Sequence, residues 1–330
     1  MMPQPASPTS TACQRWTLGR HSWRHASEGG FDRRRFTVAA IPEALARAFV
    51  CRHHYSASYP AARLAWGLFT DDEALVDDGP LTGVAVLSVP MRAAVLTNVF
   101  PDLEPFTESL ELGRFVLTDA VPANAESWFL AQVWRQAAAA SLRGVVTFAD
   151  PLQRQRAIAD VDEDGQSVTR VETITPGHVG VIYQATNAVS LGRSTARTIN
   201  YVPSAGLVLP ERTLSKIRTG EQGCEAAERH LVTLGARARR AHEDTRSWLR
   251  TALEEIGTQK IRHPGNHRYK CALLHQMTLR RLRAVRDHHA LLTTVILSRV
   301  PLLGQASGFR WACVTLTFDF WAGGSWLISS

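Results

Sequence analysis

Short groups of polar residues stand where predicted helices and strands begin or end, which is where proteins commonly place chemistry. The segment 52–56, RHHYS, follows a predicted helix, and the segment 148–151, FADP, follows a predicted strand. A third segment, 177–187, contains two glycines and the phenol of Tyr183. Imidazole, carboxylate and phenol groups can all exchange protons, so these segments are candidates for general acid–base catalysis.

The strand-like segment 109–117 carries two charged side chains among apolar ones. Strand alternation predicts Glu111 on one face, with Arg114 and Leu112 on the other. A charge among apolar side chains needs a partner or a ligand, so Arg114 is either part of a structural salt bridge or a holder of substrate. Ser127 follows near the start of a predicted helix, where free backbone amides favour an anion such as a donor phosphate.

Each candidate also has a purely structural interpretation. His54 could stand at a helix C-terminus, which favours cations, and Asp150 could cap a loop. Spacing alone favours Tyr183 as a buried core residue. An imidazole and a carboxylate also suit a metal ion, so a site shared by His54 and Asp150 is a further alternative.

Regular elements that could position these residues follow one another in a clear order. Hydrophobic periodicity predicts, in order, a helix (41–51), a hairpin (63–69 and 81–89), a strand (109–117), a helix capped by Asn124 (125–141), a strand (144–148), a short helix (178–186) and a strand (197–202). This order predicts an α/β chain of the α+β kind, with helices packed on a mixed sheet. It resembles the element order of GNAT-type acyltransferases.

The chain is predicted to divide into four parts. Residues 1–38 are interpreted as a flexible arm, 39–202 as the GNAT-like catalytic domain, 203–285 as a basic helical extension, and 286–330 as a tail without assignment. A polar loop is predicted over 151–176. Residues 211–290 hold 17 Lys and Arg against 9 Asp and Glu, an excess of +8, which exceeds the net charge of +7 for the whole chain. The excess positive charge of the whole chain therefore lies in this extension.

Composition excludes several classes of protein. With 330 residues, 45% hydrophobic and 20% charged, the chain can bury a real core, so it is neither disordered nor a small disulfide scaffold. The five cysteines form no C-x-x-C pair, no secretory signal is recognisable, and no apolar run is long enough to span a membrane without interruption. These features predict a cytoplasmic protein without a membrane partner. They leave its oligomeric state open.

Several common catalytic motifs are missing from the sequence. There is no G-x-G-x-x-G or Walker A loop, no HExxH, no G-x-S-x-G and no cysteine spacing typical of zinc sites. The R/Q-x-x-G-x-G/A loop with which most GNAT enzymes hold the pyrophosphate of acetyl-CoA is absent as well. An acyl-CoA donor is thus uncertain, and the cofactor is not identified.

Four motifs in a fixed order carry a family resemblance. They are HHYS (53–56), ELGRFVLTDAVPANAES (111–127), FAD (148–150) and GHVGVIYQA (177–185). This set resembles the Mom DNA-modification proteins of Mu-like phages. The resemblance implies a divergent GNAT fold that converts adenine in double-stranded DNA to a carbamoylmethyl derivative at its exocyclic amine, protecting phage DNA from restriction. It implies functional roles for His54, Tyr55, Arg114, Ser127, Asp150 and Tyr183.

These roles define a mechanistic hypothesis. Tyr55 and Tyr183 are expected to form pocket walls or donate protons, and His54 or Asp150 to act as the general base. Arg114 and Ser127 would hold the donor or a developing negative charge. The alternatives are a GNAT-like acyltransferase acting on RNA, protein or a small amine, and a DNA-binding protein without catalytic activity.

Overall fold

The computed structural model describes residues 12–75, 79–162 and 165–273. Its strands are β1 (Ala12–Thr17), β2 (Arg20–His25), β3 (Phe36–Ala40), β4 (Ala62–Thr70), β5 (Leu81–Ser88), β6 (Ser109–Leu117), β7 (Gly144–Ala149), β8 (Arg154–Val161), β9 (Ser167–Thr175), β10 (Val189–Arg193), β11 (Arg197–Val202), β12 (Leu207–Leu209), β13 (Gln259–His263) and β14 (His267–Ala272). Its helices are α1 (Glu43–His53), α2 (Ala94–Thr97), α3 (Ala125–Ala139), α4 (Val181–Gln184), α5 (Glu211–Thr219), α6 (Cys224–Thr233) and α7 (Thr245–Glu255).

A seven-stranded mixed sheet forms the centre of the fold. Its strand order is β10-β14-β7-β6-β5-β4-β3. Every neighbouring pair is antiparallel except β6 and β7, which run parallel. The succession α1, β4, β5, β6, α3, β7 agrees with the sequence prediction. The predicted α+β class with a mixed sheet is therefore confirmed.

Helices cover both faces of this sheet. On one face, Ala46, Phe49 and Val50 of α1 pack in one cluster with Val84 and Val86 of β5. The opposite face packs against α3. Because successive strand residues point to opposite faces, β5 must be apolar along nearly its whole length, which explains the run LTGVAVLS.

The spacing of apolar residues in α3 fits its position on the second face. Phe129, Val133 and Ala137 are fully buried and recur every four residues, and the fully buried Leu130 adjoins Phe129, so the four form one stripe of the helix. They belong to the largest buried cluster, which includes Leu87 of β5.

The predicted catalytic domain does not end at residue 202. β14 lies between β10 and β7 in the central sheet and pairs with β7 from His267↔Ala149 to Ala272↔Gly144. β11, in contrast, leaves that sheet and pairs with β12 and β13 in a separate three-stranded one. Strands that are far apart in the sequence pair here, so sequence spacing did not show that β14, and not β11, belongs to the central sheet.

The N-terminal region is not a flexible arm over its described part. β1 and β2 form an antiparallel hairpin, and β3 is an edge strand of the central sheet. Arg15 in the hairpin is fully buried and pairs with Glu126 of α3. The polar and basic composition of this region concealed the pairing, because the charge of Arg15 is neutralised by a residue far away in the sequence.

Two further segments differ from their predictions. The predicted loop 151–176 is largely an antiparallel hairpin of β8 and β9. The predicted basic helical extension contains α5, α6 and α7, which pack around the fully buried Trp248, but it continues into the strands β13 and β14. The C-terminal part of the basic extension and the tail 286–330 lie outside the described residues.

Candidate active site

A cleft opens where the parallel strands β6 and β7 separate. Their pairing runs from Ser109↔Gly144 to Glu111↔Val146 and then stops, although β6 continues to Leu117. Beyond that point the two strands diverge, leaving a cavity of about 290 Å³. Residues 111–117 line one side, and Phe148 and Asp150 stand at the end of β7.

A β-bulge in β6 changes which side chains reach the cleft. Val86 of β5 faces Arg114 while its neighbour Leu87 faces Leu112, so Gly113 is the extra residue. A side chain at Gly113 would collide with Ser88. The predicted alternation is therefore wrong at this point, and Glu111 and Arg114 both line the cleft.

Five of the six predicted site residues line the same cleft: His54, Tyr55, Arg114, Asp150 and Tyr183. Ser127 is not among the lining residues, and its hydroxyl donates to the carbonyl of Asn124 at 3.5 Å. The cleft thus assembles residues from the C-terminal end of α1, from β6, from the end of β7 and from α4.

Aromatic rings form much of the wall. The ring of Tyr55 lies 5.0 Å from that of Trp16 and 4.3 Å from that of His54. Tyr183 is 5% exposed and packs 5.5 Å from Tyr269, so it belongs both to the core and to the cleft. Burial raises the pKa of the Tyr183 phenol. Flat rings around a narrow cleft suit a planar ligand that stacks.

His54 is held as a neutral imidazole. The backbone amide of Ser56 donates to its Nδ1 at 3.2 Å, so the proton of the neutral ring is on Nε2. Burial, reinforced by the charges of Arg114, His178 and Arg154, lowers the pKa of His54 to about 3. His54 is consequently a weak base at neutral pH, with an N–H that can donate to a ligand.

The carboxylate of Asp150 is already engaged by the protein. Its Oδ1 accepts from the amide of Leu152 at 2.9 Å and lies 3.0 Å from Nε2 of His263, while Oδ2 accepts from Arg154 at 2.7 Å. Although burial opposes it, these partners lower the pKa of Asp150. His263 in turn accepts at Nδ1 from the amide of Gly265, so its Nε2 carries the proton donated to Asp150. Asp150 therefore organises neighbouring side chains and is a poor base.

Glu111 has the opposite electrostatic character. Burial raises its pKa to about 7, although the charge of Arg114 partly opposes this shift. Among the described residues, no side chain forms a hydrogen bond or ion pair with its carboxyl group. A cleft carboxylate whose pKa lies near neutrality is well suited to accept a proton from a substrate.

Two arginines bring positive charge to the cleft. Arg114 donates to the carbonyl and hydroxyl of Ser58 at 3.0 and 2.9 Å, and no carboxylate of the described chain forms an ion pair with it. The salt-bridge interpretation of Arg114 is therefore not supported. Arg154 pairs with Asp150 and stands 5.1 Å above the ring of Tyr55.

The start of α3 does not offer a simple anion site. Its N-cap Asn124 has a left-handed backbone (φ 70°) and makes no side-chain cap. Glu126 in the first turn is buried and paired with Arg15. The guanidinium of Arg15 also donates hydrogen bonds to the carbonyl oxygens of Val121 and Pro122. The carbonyls of this loop therefore point toward a cation of the protein itself. This arrangement agrees with the missing CoA-pyrophosphate loop.

The residues do not fit the alternative of a metal shared by His54 and Asp150. Both oxygens of Asp150 and Nδ1 of His54 already accept hydrogen bonds from the protein. Within residues 12–75, 79–162 and 165–273, no group of three His, Cys, Asp or Glu could hold a metal ion.

Sequence reasoning missed several cleft residues. Trp16 and Trp23 come from the N-terminal hairpin, and Asn266 precedes β14. His178 follows Gly177 in the fourth motif, and burial is the main cause of its lowered pKa. Only His178 carried a sequence signal, because it lies inside a motif. The others are brought in by tertiary contacts.

The fold and the cleft define an α+β protein with an aromatic, titratable site between two separating parallel strands. Residues 35–156 match the Mom protein family. The match covers less than half of the chain, and over this segment the chain is Mom-like. It includes the motifs at 53–56, 111–127 and 148–150, for which the resemblance is confirmed, whereas the motif at 177–185 lies beyond it. A comparison with curated protein sequences finds no match.

Two solved structures are similar at low identity. One is assigned as a phosphinothricin N-acetyltransferase, with 12% identity over 41% of this chain and 96% of that chain and a TM-score of 0.23. The other is the CoA-dependent acyl-homoserine lactone synthase MesI, with 14% identity over 37% and 69% of the two chains and a TM-score of 0.19. Scores of this size carry no argument about activity.

No helix in the described ranges is long and apolar enough to cross a membrane.

Proposed function

We propose that this protein is a transferase that modifies the exocyclic amine of adenine in DNA. The observation that carries the proposal is the position of the Mom-like segment. Residues 35–156 supply His54, Tyr55, Glu111, Arg114 and Asp150, which line one cleft. A family match that coincides with the walls of a titratable cleft supports a shared chemistry and not only a shared scaffold.

The shape of the cleft supports a flipped base as its ligand. At about 290 Å³ the cavity is small compared with typical ligand pockets. Enzymes that act on a paired base must extrude it, at a cost of a few kcal/mol, and recover that cost by stacking and edge hydrogen bonds. Tyr55 and Trp16 provide stacking faces. The Nε2–H of neutral His54 provides a donor for a base nitrogen.

Glu111 is proposed as the general base in place of His54 or Asp150. The adenine amine is a weak nucleophile because its lone pair is delocalised into the ring. A new N–C bond to the donor carbon forms as the donor's leaving group departs with its electron pair, and the amine proton passes to Glu111. With a pKa of about 7, Glu111 is partly ionised at neutral pH and can receive that proton. Arg114 would stabilise negative charge on the donor.

The donor is proposed to be an activated acyl or carbamoylmethyl compound held without the usual CoA-pyrophosphate loop. The absence of the R/Q-x-x-G-x-G/A loop supports this, and Pro122, just before α3, has no backbone N–H to donate to a phosphate. The role proposed for Ser127 in donor binding is not supported by the cleft lining.

Nucleoside mass spectrometry of plasmid DNA tests the proposal directly. Cells expressing the protein are expected to yield a deoxyadenosine of increased mass, and cells expressing Asp150→Ala are not, because Arg154 and His263 then lose their anchor. A matched control is Asp244→Ala, which removes a carboxylate at the start of α7 outside the cleft. Unmodified deoxyadenosine from the wild type would refute the proposal. A mass shift in RNA, protein or a small amine would indicate another acyl acceptor.

A further inference from the structure

A buried histidine outside the Mom-like segment contacts the cleft. His263 is the last residue of β13 and is 2% exposed. Its Nδ1 accepts from the amide of Gly265 at 3.0 Å, so the ring is neutral and its proton lies on Nε2. That Nε2 lies 3.0 Å from Oδ1 of Asp150 and donates to it. A residue beyond the family match at 35–156 thus holds a residue of the cleft wall.

The turn after β13 fixes the orientation of this imidazole. Gly265 has a φ of +92°, and a β-carbon at this position would collide with the carbonyl of Ser194. The next residue is held from both sides. The amide of Asn266 donates to Oγ of Ser194 at 2.9 Å, and the amide of Ser194 donates to the carbonyl of Asn266 at 2.8 Å. His263 therefore presents Nε2 to Asp150 from a rigid support.

Asp150 connects His263 to an arginine. While Oδ1 accepts from His263 and from the amide of Leu152, Oδ2 accepts from Nη2 of Arg154 at 2.7 Å. A network in which every member has its partners is rigid. The orientation of the Asp150 carboxylate, set in part by His263, consequently fixes the guanidinium of Arg154.

Arg154 in turn contacts the phenol of Tyr55. Its guanidinium carbon lies 5.1 Å from the centre of the Tyr55 ring, and its Nη2 lies 3.5 Å from the phenol oxygen. The backbone beside Arg154 is fixed as well, because the amide of Gln155 donates to the hydroxyl of Tyr201 on β11 at 2.9 Å. Tyr55 lines the cleft, so this chain of contacts ends at the site itself.

We infer that His263 is a positioning residue, which acts through Asp150 and Arg154 to hold the phenol of Tyr55 in the cleft. The inference rests on the proposed function, because it takes the cleft to be the active site. It also gives the three-stranded sheet a role. Through His263 of β13 and Tyr201 of β11, this sheet supports the end of β7 and the start of β8.

Two substitutions at His263 test the inference by nucleoside mass spectrometry of plasmid DNA. His263→Leu removes the N–H that Asp150 accepts. We expect the fraction of modified deoxyadenosine to fall by about tenfold or more, because small displacements of site groups lower rates strongly. His263→Gln keeps an N–H donor near the position of Nε2 and should retain most of the modification. Equal losses in the two variants would overturn the inference.

A double-mutant cycle separates positioning from a general loss of stability. Tyr55→Phe removes the hydroxyl near Arg154 and keeps the ring. If His263 acts through Tyr55, the fold-loss caused by His263→Leu should be smaller in the Tyr55→Phe background than in the wild type, by at least about threefold. The same fold-loss in both backgrounds would show that His263 acts independently of Tyr55.

The matched control makes the same substitution at an exposed histidine. His230→Leu on α6 should leave modification unchanged. Circular dichroism and the midpoint of urea unfolding establish that each variant folds. A loss in this control as large as that in His263→Leu would overturn the inference.

A spectroscopic readout tests the positioning without any modified DNA. The five tyrosines can be labelled with ¹³C at the carbon that bears the hydroxyl, and the NMR signal of Tyr55 is the one missing from Tyr55→Phe. We expect this signal to shift in His263→Leu and to return toward its wild-type position in His263→Gln. An unmoved signal overturns the inference even where wild-type cells contain modified deoxyadenosine. A shifted signal without modified deoxyadenosine in wild-type cells supports the positioning and refutes the proposed function.

Discussion

The cleft and the helical region treat their charged residues in opposite ways. On α5–α7, arginines and glutamates meet at the surface, as in the pair Arg212 and Glu221. At the cleft, Glu111 and Arg114 are partly buried and neither forms an ion pair with a described residue. Burying a charge without a close partner costs free energy, whereas an exposed pair is nearly neutral in stability. The helical region contains more charged residues, but its charges are paired at the surface. The cleft contains unpaired charges whose burial costs free energy, and such charges are typical of functional sites.

The largest effect on activity is expected when the unpaired cleft carboxylate of Glu111 is removed. Glu111→Gln keeps the shape of the side chain but removes its ability to accept a proton. We expect the fraction of modified deoxyadenosine to fall by roughly 100-fold or more, the usual contribution of a general base. Nucleoside mass spectrometry measures this fraction at matched expression. Glu254→Gln, an exposed substitution on α7, is the control and should leave modification unchanged.

Stability measurements give an independent check on Glu111. Its folded pKa of about 7 lies above the usual value of a glutamic acid, so the fold disfavours the ionised form. The wild type should therefore lose stability as pH rises from about 4.5 to 7, relative to Glu111→Gln. If the two proteins respond identically to pH in urea unfolding, Glu111 does not titrate as proposed.

The next effect concerns the buried pair of Arg15 and Glu126. Arg15→Met leaves the Glu126 carboxylate buried without its partner, and one of its oxygens already lacks a hydrogen bond among the described atoms. The free energy of unfolding should fall by about 3–5 kcal/mol. The matched surface change Arg212→Met removes one partner of an exposed pair and should cost at most about 1 kcal/mol. Similar losses in urea unfolding would contradict the distinction between the two regions.

The smallest effect is the pH dependence contributed by His54. Its folded pKa of about 3 lies below the ordinary histidine value, so the unfolded chain binds a proton that the folded chain does not. Its contribution to stability is present above about pH 6.5 and is lost as pH falls toward 3. His54→Asn should flatten this part of the stability curve. An unchanged curve would show that His54 is protonated in the folded protein at mildly acidic pH.

Much of the central fold was predictable from local pattern. The periodicity of α1 and α3 and the apolar runs of β4, β5 and β7 agree with the structure because each element buries a face set by its own sequence. Five of the residues singled out by the motifs line one cleft, and their catalytic roles stay predictions.

Other features depended on partners far away in the sequence. The pattern of 12–25 does not show that Arg15 pairs with a helix more than a hundred residues later. β14 has mixed polarity and reads as part of a basic extension, yet it completes the central sheet beside β7. The bulge at Gly113 needs the register with β5, which alternation within β6 alone cannot supply.

The sequence by itself determined the α+β class, the Mom-like motifs and the chemical types of group that meet in the cleft. Tertiary structure decided which of those groups can act. Desolvation raises the pKa of Glu111 to about 7 and lowers that of His54 to about 3, whereas Arg154, Leu152 and His263 keep the pKa of Asp150 low. The pKa of a side chain, and whether its charge is paired, depend on the neighbours that it acquires on folding. Sequence spacing does not specify those neighbours.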